Sequence, residues 1–177
     1  MKTILALLLF VGSALFCTAQ TERTDTTQIP QKIKKQAEIM ANSLLKEDYQ
    51  SFVRYNHPQL TETMGGRQKM VKTLEKMVND MKSQGASFSS IKFGQPFAFI
   101  RTEYELQCLI PQTLEVKVPN GRIVTVSALI AVSMDEGDNW YFIDTGGKDI
   151  IAVRHVVPTL SDELVLPPKP QPVFYRD

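Results

Sequence analysis

Few residues of this sequence have types and spacing that could carry chemistry. The two histidines, His57 and His155, stand alone, and no cluster of cysteine, histidine, aspartate and glutamate has the spacing of a metal site. The sequence contains no Gly-x-Ser-x-Gly nucleophile elbow, phosphate-binding P-loop or His-Glu-x-x-His zinc motif. We therefore expect neither a metal ion nor a cofactor.

Asp144 is the carboxylate with the most informative surroundings. Alternation in "WYFID" puts it on the same strand face as Trp140 and Phe142, where a buried carboxylate could act as a base. The "TGG" that follows favours another role, a turn that Asp144 caps through its own side chain. His57 has two roles open as well, because it either caps the helix beginning at Pro58 or lies at the mouth of a pocket.

The composition is that of one globular domain. The chain has 177 residues, of which 43% are hydrophobic and 22% charged, and its formal net charge is +1. This is enough apolar chain to bury a core, and it argues against global disorder. The longest basic run is "KIKK", which is too short for the basic patch of a nucleic-acid binder. We expect no nucleic-acid partner.

Residues 1–19 have the pattern of a signal peptide. A basic start precedes an apolar run that ends near Phe16, and the small residues up to Ala19 predict cleavage after that position. The run is shorter than the ~20 apolar residues of a membrane span, so we expect no stable membrane insertion after cleavage. Phe16 fills the position where lipidation of Cys17 would need a small residue. We predict export to the periplasm or the extracellular space, with a flexible lead-in at 20–29.

Cleavage would leave Cys108 as the only cysteine, which excludes an intramolecular disulfide. Alternation in "YELQCLI" puts it on one strand face with Tyr104, Leu106 and Ile110. This placement predicts a small buried hydrophobe rather than a reactive thiol.

The first half of the chain has helical periodicity. We predict an amphipathic helix from Pro30 to about Lys46, a short helix capped by Asp48, and another short helix from Pro58 to Met64. The next helix carries the clearest apolar stripe, at Met70, Val71, Leu74, Met77, Val78 and Met81. Its three methionines are either core or the adaptable lining of a ligand pocket, and core is the commoner outcome.

After Gly85 the period changes to two. Strands are predicted in "FSSIKFG", "FAFIRTEYELQCLI", "TLEVKV", "RIVTVSALIAVSM" and "WYFID", with a hairpin at Asn120–Gly121. Short turns between consecutive strands predict an antiparallel sheet, so the fold class is α+β, with N-terminal helices packed on the sheet. We place this single domain at 30–158, with "IIAVRHVVP" near its end as an edge strand or a short helix. The proline-rich tail at 159–177 either packs along the domain or remains mobile.

Three segments carry a resemblance to a known family. They are "HPQLTETMGG", the hairpin "VKVPNGRIV" and "NWYFIDTGGKD", within a similar region from Gln31 to Pro158. Together with the order of elements, they resemble the nuclear transport factor 2-like (NTF2-like) fold, also called cystatin-like, in small secreted proteins of Bacteroidetes. The resemblance implies a curved antiparallel sheet that wraps a long helix as a cone and leaves a pocket at the open end. Because this fold hosts both enzymes and accessory domains, it does not select a function.

The resemblance does imply where a site would lie. Enzymes with this cone place a carboxylate or histidine, with a tyrosine donor, against an apolar pocket. The candidate catalytic residues are therefore Asp144 or His57 as base and Tyr104 as donor. The candidate residues for the pocket lining are Tyr55, Met70, Tyr104, Cys108 and Trp140.

The leading hypothesis is a secreted, non-enzymatic domain that binds a small molecule or a protein partner. The alternative is a small pocket enzyme of the isomerase or dehydratase kind. A third hypothesis is a homodimer paired through the exposed face of the sheet, because "VTVSALIAV" is apolar on both faces. Convergence of Asp144, His57 and Tyr104 on one apolar cavity would favour the enzyme.

Export gives the first testable prediction. Protein purified from its own source should begin at Gln20, as the free amine or as pyroglutamate, because the signal peptidase reads the small residues before the cleavage site. Mass analysis of the N-terminal peptide checks this. An intact Met1 or a lipidated Cys17 would contradict it.

Overall fold

The computed structural model describes residues 28–177, so the predicted signal peptide and most of the lead-in lie outside the described residues. This part of the chain has four helices, then five strands, then a fifth helix and a sixth strand. The helices are α1 Ile29–Leu45, α2 Tyr49–Val53, α3 Pro58–Thr63, α4 Arg67–Ser83 and α5 Ile150–Arg154. The strands are β1 Ser87–Phe93, β2 Ile100–Arg101, β3 Leu106–Val118, β4 Gly121–Ser133, β5 Tyr141–Asp144 and β6 Val173–Arg176.

Prolines, capping side chains and glycines mark the ends of several helices. Pro30 lies in the first turn of α1, and the Asp48 carboxylate accepts a hydrogen bond from the Ser51 N–H at 3.0 Å, which caps α2 as predicted. Gly65 and Gly66 follow α3 with positive φ, and Gly85 does the same after α4. Glycine therefore ends both helices, as predicted.

The strands form one antiparallel sheet in the order β1-β3-β4-β5. Strand β2 adds to the free part of β3, and β6 adds to the free part of β4. The sheet with its helices confirms the predicted α+β class. The cone shape that the resemblance implies stays a prediction.

Two predicted strands, in "YELQCLI" and "TLEVKV", are one strand. Strand β3 runs through Pro111, which pairs with Ala128, while the Pro111 carbonyl accepts a hydrogen bond from the Gly94 N–H at 2.9 Å. In an antiparallel ladder both backbone groups of a residue point to the same side. The missing N–H of Pro111 therefore faces the edge between β1 and β2, where a proline costs no ladder bond to β4.

By contrast, the single strand predicted in "FAFIRTEYELQCLI" is divided into two strands before Cys108. A turn at residues 102–105, in which the Thr102 hydroxyl bonds to the Glu105 backbone, separates β2 from β3. Tyr104 lies in this turn and is 73% exposed. The prediction that it shares the buried face of Cys108 is wrong, because the chain leaves the pleat at this turn.

Each face of the sheet has its own apolar core. The inner face packs on α1, through Ile33, Ala37 and Met40 against the odd-numbered residues of β4 and the even-numbered residues of β3. The outer face, with Ile130 and Val132, is covered by α5 and the chain that follows it. This intramolecular cover accounts for the apolar pattern on both faces of β4 that suggested a homodimer.

The C-terminal tail packs along the domain. "IIAVRHVVP" contains the short helix α5 rather than an edge strand, and Leu160 and Leu164 are buried under the sheet's outer face. The chain then crosses the proline-rich segment and pairs as β6 with residues 121–124 of β4. All four residues of β6 are exposed, so the backbone ladder and the stacking of Arg122 on the Tyr175 ring, 4.9 Å from its centroid, hold this strand.

The hairpin turn lies one residue earlier than predicted. Its turn residues are Pro119 and Asn120, and Gly121 already belongs to β4, with φ of +149°. A Cβ added to Gly121 would lie 2.0 Å from the Tyr175 carbonyl oxygen. Glycine at this position is therefore required by the approach of β6.

Gly121→Ala should detach β6 and leave the rest of the sheet intact. The added methyl group would clash with the backbone of β6, whose side chains bury little. Amide hydrogen exchange at 173–176 should become fast. Gly66→Ala is the control, because its φ is +91° but an added Cβ meets no atom within 4 Å. Unchanged exchange of β6 in Gly121→Ala would contradict this account.

Candidate functional site

A cavity of about 320 Å³ lies between the inner face of the sheet and the helices. All but three of its lining residues are apolar. The apolar lining includes four aromatic side chains, those of Phe52, Phe88, Phe93 and Phe142. The size and the lining are those of a small-molecule site.

Four methionines give the cavity an adaptable wall. Met40 comes from α1, Met64 follows α3, and Met70 and Met77 come from α4. Met70 belongs to a buried cluster as well as to the cavity wall, whereas Met77 is 44% exposed. Of the two roles predicted for the methionines of α4, Met70 has both, and Met77 has the pocket lining rather than the favoured core role, because α4 packs against α2 and leaves the Met77 side chain beside the cavity.

Three polar side chains, Asn56, Gln112 and Asp144, line the cavity. Gln112 is only 8% exposed, while Asp144 is exposed at the end of β5. The Asp144 carboxylate accepts a hydrogen bond from the Gly146 N–H at 2.8 Å, so it caps its own turn as the sequence favours. Among the described residues, Asp144 is also the one ionisable residue that lines this cavity.

The predicted pocket residues do not all meet. Met70 lines the cavity. Cys108 and Trp140 lie deeper in the inner core, where burial raises the pKa of the Cys108 thiol to about 12 and the Trp140 indole N–H donates to the Gly137 carbonyl at 2.9 Å. Tyr55 packs against that core, outside the cavity lining.

His57 is almost completely buried, at 1% exposure, outside the lining of the cavity. It is the residue before α3, but its side chain makes no capping hydrogen bond, so the predicted capping role is wrong. The His57 and Tyr141 rings meet edge to face, with centroids 6.5 Å apart and an angle of 78° between the ring planes. Neither ring nitrogen has a hydrogen-bond partner among residues 28–177. Burial lowers the pKa of His57 to about 4, so the ring is neutral at pH 7.

Sequence reasoning missed Gln112 and Asn56. Gln112 lies on an inner face that is otherwise apolar, and alternation along β3 could have marked it once the strand was known to continue through Pro111. Asn56 reaches the cavity because its short segment bridges to Phe142 of β5. No local pattern predicts that contact.

A larger groove of about 640 Å³ lies on the outer face, beside the proline-rich segment. Its lining includes exposed prolines and the exposed charges of Lys148, Asp149 and Lys169. Both spaces open to solvent, but all except three of the described residues that line the inner cavity are apolar, whereas the groove has several charged residues in its lining. We therefore take the inner cavity as the candidate site.

Within residues 28–177, no three metal-ligating side chains lie close enough to hold a metal ion. None of the helices in this same range is long and apolar enough to cross a membrane. In comparisons with known proteins, no protein-family model and no curated protein matches this sequence.

His57 predicts a specific sensitivity to acid. The unfolded chain takes up a proton near pH 6.5, while the folded chain resists protonation until about pH 4. The contribution of His57 to the free energy of unfolding is therefore fully present above pH 6.5. It is lost as the pH falls towards 4, which lowers the free energy of unfolding by at most about 3 kcal/mol. His57→Phe should flatten this part of the pH dependence in urea titrations at pH 7 and pH 5.

His155→Gln is the control for that experiment, because His155 is exposed. It should keep the pH dependence of the natural protein. If the free energy of unfolding fell equally between pH 7 and pH 5 in His57→Phe and in the natural protein, His57 would not be the cause of the acid sensitivity.

The cap at Asp144 gives a prediction about stability. Asparagine retains an acceptor oxygen for the Gly146 N–H, so Asp144→Asn should change the free energy of unfolding little. Asp144→Ala should cost about 0.5–2 kcal/mol, by analogy with lost helix caps. Urea titration of both variants measures this. A marked gain in stability for Asp144→Asn would instead indicate a strained, catalytic carboxylate.

Proposed function

We propose that this protein binds a small apolar molecule in the inner cavity and does not transform it. The observation that carries the proposal is the cavity itself, with its methionine and phenylalanine lining. Methionine side chains are flexible and polarisable, so such a wall adapts to ligands of different shape. The resemblance to the NTF2-like cone adds support, since that fold leaves a pocket at its open end.

The candidate catalytic residues support binding rather than catalysis. Asp144 is exposed and engaged by its own turn, His57 is buried outside the cavity lining, and Tyr104 projects into solvent from a distant turn. An isomerase or dehydratase would need its base and its donor within reach of one substrate. These three residues do not share the cavity.

The proposal includes export to the periplasm or the extracellular space, on the strength of the N-terminal sequence. A single thiol that is buried suits an oxidising compartment, because Cys108 is withheld from chemistry there. The bound molecule would then be one that the protein meets outside the cytoplasm.

The cavity volume limits the ligand. At about 30 Å³ for each water-sized group, a cavity of about 320 Å³ holds roughly ten or eleven non-hydrogen atoms. Decan-1-ol has this size and an apolar body, so it is a suitable first probe.

Methionine methyl groups report directly on the cavity. In protein labelled with ¹³C at these methyls, decan-1-ol should shift the signals of Met40, Met64, Met70 and Met77 in NMR spectra. The signal of Met134, which is exposed outside the cavity, should not move. Equal shifts at all sites would indicate non-specific association.

A matched pair of variants completes this test. Met77→Lys places a charge beside the cavity and should weaken binding, because it puts an ammonium group against an apolar chain. Met134→Lys makes the same change at 45% exposure, against 44% for Met77, and should leave binding unchanged. Equal affinities for the two variants, or no binding by the natural protein, would refute the proposal.

A further inference from the structure

We infer that the cavity selects an uncharged or cationic amphiphile, an alcohol or amine, against an anionic one, and that Gln112 and Asp144 make this selection. The inference rests on the proposed function. It concerns which polar group the ligand carries, whereas the proposed function concerns only its apolar body.

Gln112 is the first ground for this inference. It is more than nine-tenths buried, and it lines the cavity on the same sheet face as Leu114 and Ile110. None of the side-chain hydrogen bonds within residues 28–177 involves its carboxamide. The Gln112 nitrogen and oxygen are not among the buried side-chain atoms of residues 28–177 that lack a partner, so the carboxamide is open to the cavity. With no partner inside the protein, it is available to hydrogen-bond water or a polar group of a ligand.

Gln107, in the same strand, is a glutamine whose side-chain amide does have hydrogen-bond partners within the protein. Its side chain, on the outer face, donates to the Glu105 carboxylate at 2.6 Å and to the Thr159 carbonyl at 2.9 Å. It also accepts from the Ser161 N–H at 2.9 Å. The two glutamines are alike in burial, so the lack of partners is particular to the one that faces the cavity.

Asp144 is the second ground, because its negative charge determines which charge on a ligand the cavity tolerates. It is the one ionisable side chain that residues 28–177 place in the lining, and the Gly146 N–H donates to one of its two oxygens. A carboxylate can only accept hydrogen bonds, so its other oxygen suits a hydroxyl or an ammonium group. A ligand carboxylate or phosphate at this position would be repelled.

Asn56 is the second neutral polar group in the lining. Its amide nitrogen donates one of its two N–H groups to the Phe52 carbonyl at 3.3 Å, which leaves the other N–H and the oxygen open to a ligand. Asn56 and Gln112 therefore offer donors and acceptors alike, whereas Asp144 offers acceptors alone. The preference for alcohols and amines over anions therefore comes from Asp144.

Asp144 and Gln112 should bind different head groups of the ligand. Asp144 is exposed, so an ammonium group can pair with it and keep much of its hydration. Gln112 is buried, and moving a full charge to it would cost too much, whereas a hydroxyl can be buried once it is hydrogen-bonded. An alcohol head should therefore reach Gln112, and an amine head should stay with Asp144.

Three probes with one apolar body test this: decan-1-ol, decan-1-amine and decanoate, titrated at pH 7 by calorimetry. We expect decanoate to bind most weakly. Gln112→Met keeps the length of the side chain and should weaken decan-1-ol alone, roughly twofold to tenfold. Asp144→Asn should weaken decan-1-amine by a similar factor and raise the affinity for decanoate.

Asp162→Asn, a matched change on the outer face, should alter none of these affinities. Decanoate binding as tightly as the other probes would overturn the inference, and so would equal effects of both variants on both heads. In either case the proposed function would stand, since the apolar body would still bind. Failure of all three probes to shift the four methionine signals would refute the proposed function itself.

Discussion

The long ladder between β3 and β4 is the feature on which the rest of the structure depends. Thirteen residues of each strand pair without interruption, from Leu106 with Ser133 to Val118 with Gly121. The middle of this ladder is apolar on both faces, so it is stable only when both faces are covered. Helix α1 covers one face, and α5 with the tail covers the other. The C-terminal tail is therefore part of the fold.

The cavity follows from how the inner face is covered. Helix α1 packs directly on the sheet, whereas α4 packs mainly against α2 through Met70, Val71 and Val78. The sheet continues beneath α4, and the space between them is lined by flexible side chains rather than filled. A void of this kind costs stability in the free protein. A ligand that fills it would recover that loss and stabilise the folded state by mass action.

Much of the fold could be predicted from local patterns, but only part of the site could: Met70 and Asp144 line the cavity, whereas the other candidate residues do not. The cap at Asp48, the four N-terminal helices and the hairpin all follow from periodicity and turn chemistry. The continuity of β3 was hidden because a proline normally marks the end of a strand, and only the tertiary arrangement shows that Pro111 faces an edge. Gln112 was missed and Tyr104 was placed on the wrong face for the same reason, since their environments depend on where β3 begins and how far it runs.

Native mass spectrometry tests the central claim, that the inner cavity holds a small molecule, most directly. The protein should be purified from its own source without detergent or organic solvent, because these would displace an amphiphile. We expect a population heavier than the polypeptide by one small neutral or basic molecule, and the added mass should vanish under denaturing conditions. A single species at the polypeptide mass would contradict the account.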